Sequence, residues 1–198
     1  MIRLERGERD MYHYSYGHYQ WRHPAHGARQ YWTQVPQQGP WQGQSYIRQE
    51  AQSTDLRRDY GPNPYVVDIE EAAERNNYFR SALWTGNHLQ VTLMSIPVRQ
   101  DIGIERHTNV DQFLRIENGV GLVQMGSSPE RLDFQRRVED GDAIMIPAGT
   151  WHNVINVGDK PLKLYSIYAP PEHPHGTVHR TKEEAMAAEQ AMQRMTAR

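Results

Sequence analysis

Residues 138–156 read VEDGDAIMIPAGTWHNVIN, and this stretch decides the fold. Gly141 permits the tight turn that starts a strand, and Pro147 with Gly149 makes a stiff corner at the end of that strand. His152 follows the corner and begins the next strand, with its ring directed to the inside of the folded sheet. A histidine in this position is placed to act as a ligand.

Short β-type segments lie on both sides of this stretch. Their bounds are 79–84, 88–96, 102–107, 112–117, 121–125, 132–138, 143–146, 152–157 and 162–168, after a first strand-like run at 65–68. The turns between them contain Gly, Asn, Asp and Pro, which tolerate a positive φ or fix a bend. Many short strands with glycine-containing hairpins favour an all-β sandwich or closed barrel over alternating strands and helices.

Two helices are predicted at the edges of this β region. Asp68 is the predicted N-cap of a short helix that ends near Asn76. Thr181 and Glu184 have the spacing of a capping box, and the Ala, Met, Glu and Gln residues up to Ala197 favour one C-terminal helix. We expect that helix to lie on the domain or on a neighbouring subunit.

The composition excludes several classes of function. The net charge of −2 offers no attraction to a nucleic acid or to an anionic membrane surface. The chain has no cysteine, so disulfides, thiolate nucleophiles and iron–sulfur clusters are excluded, and His and oxygen donors remain as metal ligands. No apolar run has the length of a signal peptide or a spanning helix, which predicts a cytoplasmic protein.

The first part of the chain differs from the rest in composition. Residues 11–60 are rich in Tyr, Trp, His, Gln, Gly and Pro but almost free of Leu, Ile and Val. They cannot bury enough aliphatic surface to offset their loss of conformational entropy. We therefore predict a flexible low-complexity arm at 1–62, a barrel domain at 63–180 and the helix at 181–198.

Two interpretations of this arm remain open. Its aromatic residues either bind to a partner surface, to a second copy or to the sheet of the domain itself, or they belong to an inert extension. The composition of the arm weakly resembles that of spore-coat proteins, so a spore coat or another surface assembly is the alternative location.

The segment 141–156 matches at every fixed position the pattern G-x5-P-x-G-x2-H-x3-N, the second sequence motif of the cupin family. From about residue 65 to residue 179 the chain resembles a single-domain cupin and is similar to bacterial mannose-6-phosphate-isomerase-like proteins, with 111–117 and 147–153 as the telling segments. The resemblance implies a cupin-type double-stranded β-helix, also called a jelly-roll barrel, with a divalent metal ion and frequent homodimer formation. It implies less about the reaction, because this fold hosts isomerases, dioxygenases, lyases, decarboxylases and binding modules.

The first cupin motif, G-x5-H-x-H-x3,4-E-x6-G, can be aligned on its closing glycine, Gly119. The resemblance then implies as metal ligands Glu105, His107, Gln112 and His152. Glu and Gln stand where the family has its first histidine and its glutamate, and Arg99 replaces the opening glycine. Both altered ligand positions keep an oxygen donor, and the set suits Mn, Fe(II), Ni, Co or Zn without distinguishing them.

Alternatives to this ligand set also remain open. Glu105 and His107 are two residues apart on a predicted strand, so they share a face and can converge on one ion. The same polar residues could instead fill the barrel interior, hydrogen-bonded to one another without a metal. A register shift of one residue would replace Gln112 by Asp111, which otherwise points to the opposite face.

Further residues are candidates for a substrate site. Five aromatic or polar residues are candidates for the wall of the site: Trp84, Arg115, Trp151, Asn153 and Tyr165. Alternation along the strands directs some of them inward, where they would either bind substrate or fill the core. The loop 169–176 contains His173 and His175, with His179 just beyond it. It either crosses the mouth of the barrel or caps the sheet.

Three functions are compatible with these features. The leading hypothesis is a metal-dependent enzyme or sensor for a small polar molecule such as a sugar or sugar phosphate, with isomerase-like chemistry at the metal. An isomerase needs a base, and no second inward carboxylate is evident once Glu105 is used as a ligand. The alternatives are an Fe(II)-dependent dioxygenase and a non-enzymatic assembly protein in which the arm is the working part.

Overall fold

The computed structural model describes residues 54–196 and shows the predicted all-β architecture. In chain order the elements are α1 (Ile69–Arg75), β1 (Arg80–Thr85), β2 (Gln90–Ile96), β3 (Asp111–Asn118), β4 (Val120–Gly126), β5 (Phe134–Glu139), β6 (Ala143–Ile146), β7 (Trp151–Asn156), β8 (Leu162–Ala169), β9 (Val178–His179) and α2 (Lys182–Thr196). One sheet has six strands in the order β6-β3-β8-β2-β1-β9, and the other has three in the order β5-β4-β7. The pairings within both sheets are antiparallel.

The core is built from the inward positions of both sheets. Successive side chains of a strand point to opposite faces, so Met94 of β2, Leu114 of β3 and Val154 of β7 belong to one buried cluster. The outer face of the larger sheet carries a second apolar cluster, in which Ala72 of α1 packs with Leu93 of β2. The helix α1 therefore covers part of the outer face of the larger sheet.

The predicted strand at 102–107 is wrong. Arg99 and Gly103 have positive φ angles of 63° and 91°, and these bends prevent a continuous ladder. The segment instead runs beside β7 in isolated bridges, one of which joins Glu105 to His152. The irregular path of residues 102–107 beside β7 sets the geometry of the site described below.

Residues 54–62, which the sequence assigns to the arm, pack against the barrel. Leu56, Tyr60 and Tyr65 border the outer apolar cluster, and the rings of Tyr60 and Tyr65 stack with centroids 4.2 Å apart. The run at 65–68 is not a strand in the described part of the chain. The rest of the predicted arm, residues 1–53, lies outside the described residues.

Both predicted helices are present. The Asp68 carboxylate accepts a hydrogen bond from the Glu71 amide at 3.1 Å and caps α1. At the start of α2 the Thr181 hydroxyl accepts from the Glu184 amide at 3.3 Å, and Ala185 is buried in the inner cluster. The helix therefore lies on the barrel, and neither helix of residues 54–196 has the length and apolar character needed to cross a membrane.

Asp59 joins three parts of the fold that are distant in sequence. Its carboxylate accepts hydrogen bonds from the Gly61 and Thr85 amides, from the Thr85 hydroxyl and from the Gly176 amide, at 3.0, 2.9, 2.6 and 3.0 Å. Burial alone would raise the pKa of Asp59, but these bonds lower it overall. The loop after β8 is thereby attached to the end of β1.

We expect Asp59→Ala to lower the free energy of unfolding by about 2–4 kcal/mol, because several buried donors lose a charged acceptor. The measurement is urea unfolding of the full chain at neutral pH. The pKa of Asp59 is lowered in the folded state, so its stabilisation is present above the unfolded pKa of about 4 and is lost as the pH falls below it. The difference between variant and wild type should shrink over that range.

Asp133→Ala is the matched control. Asp133 pairs with Arg131 at 2.6 Å on the surface, with both side chains largely exposed, so its loss should cost less than about 1 kcal/mol. Equal losses of stability in the two variants would contradict the role of Asp59.

Candidate metal centre

The backbone pairing of Glu105 with His152 positions the site. Each residue donates its amide to the carbonyl of the other at 3.0 Å, so the two side chains lie next to each other on one face. His107 follows two residues later, and its carbonyl accepts the Gly149 amide at 2.8 Å. The corner that the sequence places at 147–149 therefore holds both histidine-bearing segments together.

Asp111 supports this corner from outside the cluster. Its carboxylate accepts the Ala148 amide at 2.9 Å, and the residue is exposed. The neighbouring Gln112 is buried. Asp111 thus points to the opposite face from Gln112, as the unshifted register predicts.

Three of the four predicted ligands meet in one buried cluster. The Glu105 Oε1 atom lies 3.4 Å from His107 Nε2 and 3.3 Å from His152 Nε2. The two imidazole rings are tilted by 55° with centroids 5.5 Å apart, and one ligand atom from each of the three residues lies within 4.8 Å of the others. Such a spacing fits a single cation between them.

Gln112 borders the cluster on the larger sheet. It pairs with Tyr168 of β8 in the register, so both side chains lie on the inner face, and the Tyr168 ring is 5.5 Å from that of His107. The Gln112 Nε2 atom donates to the Ser166 hydroxyl at 3.1 Å. This bond orients the amide and leaves Oε1 as the free acceptor.

The proposed ligand atoms lack hydrogen-bond partners. Within residues 54–196 the atoms Glu105 Oε1, His107 Nε2, Gln112 Oε1 and His152 Nε2 are buried without a hydrogen-bond partner. The His152 Nδ1 atom lies 3.0 Å from the Thr150 carbonyl, which can only accept, so the proton of a neutral ring is on Nδ1. The Nε2 lone pair then faces a carboxylate oxygen, and a cation between the two atoms removes this repulsion.

The charges favour an ionised carboxylate at the centre. Burial alone would raise the pKa of Glu105, but His107, His152 and Arg80 hold it well below its usual range. Burial opposes protonation of His107, but Glu105 and Glu172 outweigh that effect and raise its pKa to about 9. A divalent cation would take the place of a proton between these groups.

Arg80 is a further residue of the site that the sequence reasoning missed. Its side chain is 1% exposed, and it lies 3.8 Å from Glu105 Oε2 and 2.9 Å from Glu189 Oε1 of α2. The guanidinium therefore forms an ion pair with Oε2 of Glu105, and Oε1 remains directed at the histidines. The alternation of β1 was the available signal, because Arg80 shares a face with the buried Ala82.

The loop after β8 contributes two more residues that the sequence did not single out for the metal. The Glu172 Oε1 atom lies 3.1 Å from His107 Nδ1. The His173 ring packs edge-on against Tyr168 at 5.1 Å, and burial together with Arg80 lowers its pKa to about 2. The loop therefore crosses the site, which is the first of the two predicted alternatives.

The five predicted substrate-binding residues are not gathered at the cluster. Arg115 is an odd number of residues from Gln112 on β3 and pairs with Glu117 at 2.5 Å. Tyr165 packs in the outer apolar cluster. The interpretation of these two as inward wall residues is corrected by strand alternation, which places them outside the barrel.

The other three are placed as follows. The Trp84 ring donates to the Asn63 carbonyl at 2.8 Å, and Trp151 lies beneath the Arg106 guanidinium at 5.1 Å. Trp151 and Asn153 flank His152 on β7 and so lie on the opposite face of the strand. Asn153 is buried, and its role as a substrate contact stays a prediction.

Fold and site together define a class of protein, a jelly-roll barrel with a buried histidine and carboxylate cluster. Comparison with known families agrees, because residues 92–168 match the model of the cupin domain. Protein YrkC of Bacillus subtilis is 66% identical over 134 residues, which cover 68% of this chain and 72% of YrkC. Protein L612 of Acanthamoeba polyphaga mimivirus is 40% identical over 115 residues, 58% of this chain and 70% of its own. YrkC and L612 are both described as uncharacterized.

A solved structure gives the same result. The crystal structure of BH2720 from Bacillus halodurans is 66% identical, with a TM-score of 0.65, and the match covers 66% of this chain and 98% of that one. The chain belongs to the cupin family. Its fold is the double-stranded β-helix of that family.

The amide at Gln112 allows a test of the ligand set. We expect Gln112→Glu to strengthen Mn²⁺ binding by on the order of tenfold, because a second carboxylate adds negative charge to the set. Gln112→Leu removes the Oε1 donor but leaves three ligands, so binding should weaken without being lost. Isothermal titration of the full chain with Mn²⁺ measures both effects, and identical affinity in all three proteins would exclude Gln112 from the site.

Proposed function

We propose that this protein is a divalent-metal cupin that acts on, or senses, a small polar molecule. The observation that carries the proposal is a set of four buried donor atoms without hydrogen-bond partners in the described chain, from Glu105, His107, Gln112 and His152. The atoms of Glu105, His107 and His152 lie within 4.8 Å of one another. Buried polar atoms of this kind are rare in folded proteins unless a ligand, water or ion satisfies them. Two imidazole nitrogens and two oxygens suit a first-row divalent metal.

Exposure of the site indicates from which side a small molecule would reach it. His152 is fully buried, whereas the side chains of Glu105 and Glu172 are 16% and 32% exposed. The accessible rim is therefore formed by these two carboxylates. A polar rim of this kind would favour a small hydroxylated or carbonyl compound.

A bound divalent metal would supply Lewis-acid polarisation of a carbonyl or hydroxyl oxygen of the bound molecule. The protein would hold the ligand nitrogens in place through Thr150 and Glu172 and exclude water through the loop 170–177. A sugar or sugar phosphate isomerase would also need a base beside the metal. Glu172 is the second carboxylate near the site, and its bond to His107 competes with a role in proton transfer.

One observation favours an Fe(II)-dependent dioxygenase as the second candidate. Glu105, His107 and His152 form a set of two histidines and one carboxylate, which is the ligand type of non-haem Fe(II) oxygenases. The amide of Gln112 would be an additional weak ligand. The isomerase and dioxygenase proposals share the site and differ in metal and co-substrate.

The third candidate, an assembly protein, depends on residues outside the described range. Because Leu56, Asp59 and Tyr60 pack on the barrel, a deletion that tests the arm must end before residue 54. An enzyme would keep its metal and turnover without the arm, whereas an assembly protein would lose its association. Homodimer formation and a cytoplasmic location are also proposals.

We expect the double variant His107→Ala, His152→Ala to lose the metal that copurifies with the wild type, because half of the donor set is removed. Elemental analysis of the purified full chains measures this. The variant His88→Ala is the matched control, because this histidine is exposed and lies outside the cluster. Equal metal content in the wild type and the His107, His152 variant would contradict the proposed centre.

Oxygen dependence separates the two enzymatic proposals. A dioxygenase reconstituted with Fe(II) should consume O₂ when a panel of sugars and small carbonyl compounds is supplied, and should be inactive under anaerobic conditions. Turnover with Zn²⁺ in the absence of oxygen would favour the isomerase instead. An oxygen electrode and chromatography of the reaction mixture give the two readouts.

A further inference from the structure

The structure assigns a positioning role to Glu172: we propose that its carboxylate orients the His107 ring so that Nε2 is presented to a metal ion. The inference rests on the proposed metal centre. Glu172 does not reach the ligand face of the cluster. It contacts the opposite side of the His107 ring, where Oε1 lies 3.1 Å from Nδ1.

The two imidazoles of the site are held from behind in different ways. His152 Nδ1 lies 3.0 Å from the backbone carbonyl of Thr150, the residue just before β7. His107 is the last residue of the irregular segment 102–107, and its Nδ1 contacts a side chain of a distant loop. Removal of one side chain can therefore release His107, whereas no single side chain fixes His152.

A carboxylate in this position has two physical effects on the ring. Because an ionised carboxylate only accepts hydrogen bonds, it holds the proton of a neutral His107 ring on Nδ1 and leaves the lone pair for a metal on Nε2. It also makes the imidazole a more basic ligand, and loss of such partners typically lowers metal affinity about 10- to 100-fold. Nε2 lies 3.4 Å from Glu105 Oε1, so the lone pair is directed at the other proposed ligand.

The loop that carries Glu172 is attached to the fold at three positions directly after the contact, at His173, His175 and Gly176. The Gln90 side chain donates to the His173 carbonyl at 2.9 Å and accepts from the His173 amide at 3.0 Å. Further along, the Gly176 amide donates to Asp59 at 3.0 Å, and His175 Nε2 lies 3.1 Å from the Gly61 carbonyl. The contact of Glu172 with His107 is thus built into the fold and does not depend on a free surface side chain.

The experiment compares Co²⁺ binding by the full-length wild type and two variants. We expect Glu172→Ala to bind Co²⁺ about 10- to 100-fold more weakly, with a change in the visible d–d absorption because the His107 ring can rotate. Glu172→Gln keeps an acceptor for the Nδ1 proton, so it should recover part of the affinity and a spectrum closer to the wild type. This rescue by the neutral analogue is not expected of a residue that only stabilises the loop.

Two controls separate the carboxylate from general effects. Glu130→Ala removes an exposed glutamate in the turn after β4 and should leave Co²⁺ binding unchanged. His175→Ala weakens the loop attachment without touching His107. If His175→Ala lowers the affinity as much as Glu172→Ala, loop order and not the carboxylate controls the site, and the proposal is overturned.

The failure of the proposal can be distinguished from the failure of the metal centre. If the wild type does not bind Co²⁺, the proposed function itself is wrong. If the wild type binds Co²⁺ and Glu172→Ala binds with the same affinity and spectrum, only the role of Glu172 is wrong. If Glu172→Ala fails to fold, the comparison of Glu172→Gln with the wild type decides. The proposal is overturned if Glu172→Gln has the wild-type Co²⁺ affinity, the wild-type spectrum and the wild-type pH dependence of Co²⁺ binding.

Discussion

The pair of backbone hydrogen bonds between Glu105 and His152 is the constraint on which the site depends. These bonds hold a carboxylate and an imidazole side by side inside the barrel, with Oε1 and Nε2 3.3 Å apart. Each buried polar atom without a partner costs on the order of 1–3 kcal/mol, so a fold that gathers four of them carries a considerable penalty. Such a penalty is typical of a functional site, where stability is given up for a preorganised binding geometry.

The sequence predicted the parts of the fold that depend on local chemistry. The corner at 147–149, the start of β7 at His152 and the caps of both helices follow from Pro, Gly, Asp and Thr at positions with specific backbone requirements. The inward position of Gln112 follows from alternation on β3. Alternation counted from Gln112 also places Arg115 outside the barrel, so the same rule argues against Arg115 as an inward residue.

The sequence could not predict what depends on distant contacts. The segment 102–107 has the β-type composition of a strand, but its path is set by positive φ angles at Arg99 and Gly103 and by pairing with β7. Glu172 reaches His107 only because Gln90 and Asp59 fix the loop that follows β8. No spacing rule connects a residue in a proline-rich loop to a ligand on another segment.

The two departures at the ligand positions of the family motif are explained together when the charges are counted. The family pattern has three histidines and one glutamate, and this chain has two histidines, one glutamate and one glutamine. The number of carboxylates is therefore unchanged, but the carboxylate has moved from position 112 to position 105. That position faces Arg80, which is 1% exposed and whose other ionic partner among residues 54–196 is the partly exposed Glu189. A buried arginine needs a nearby negative charge, so Glu105 both balances Arg80 through Oε2 and offers Oε1 to a metal, whereas position 112 needs only a neutral donor.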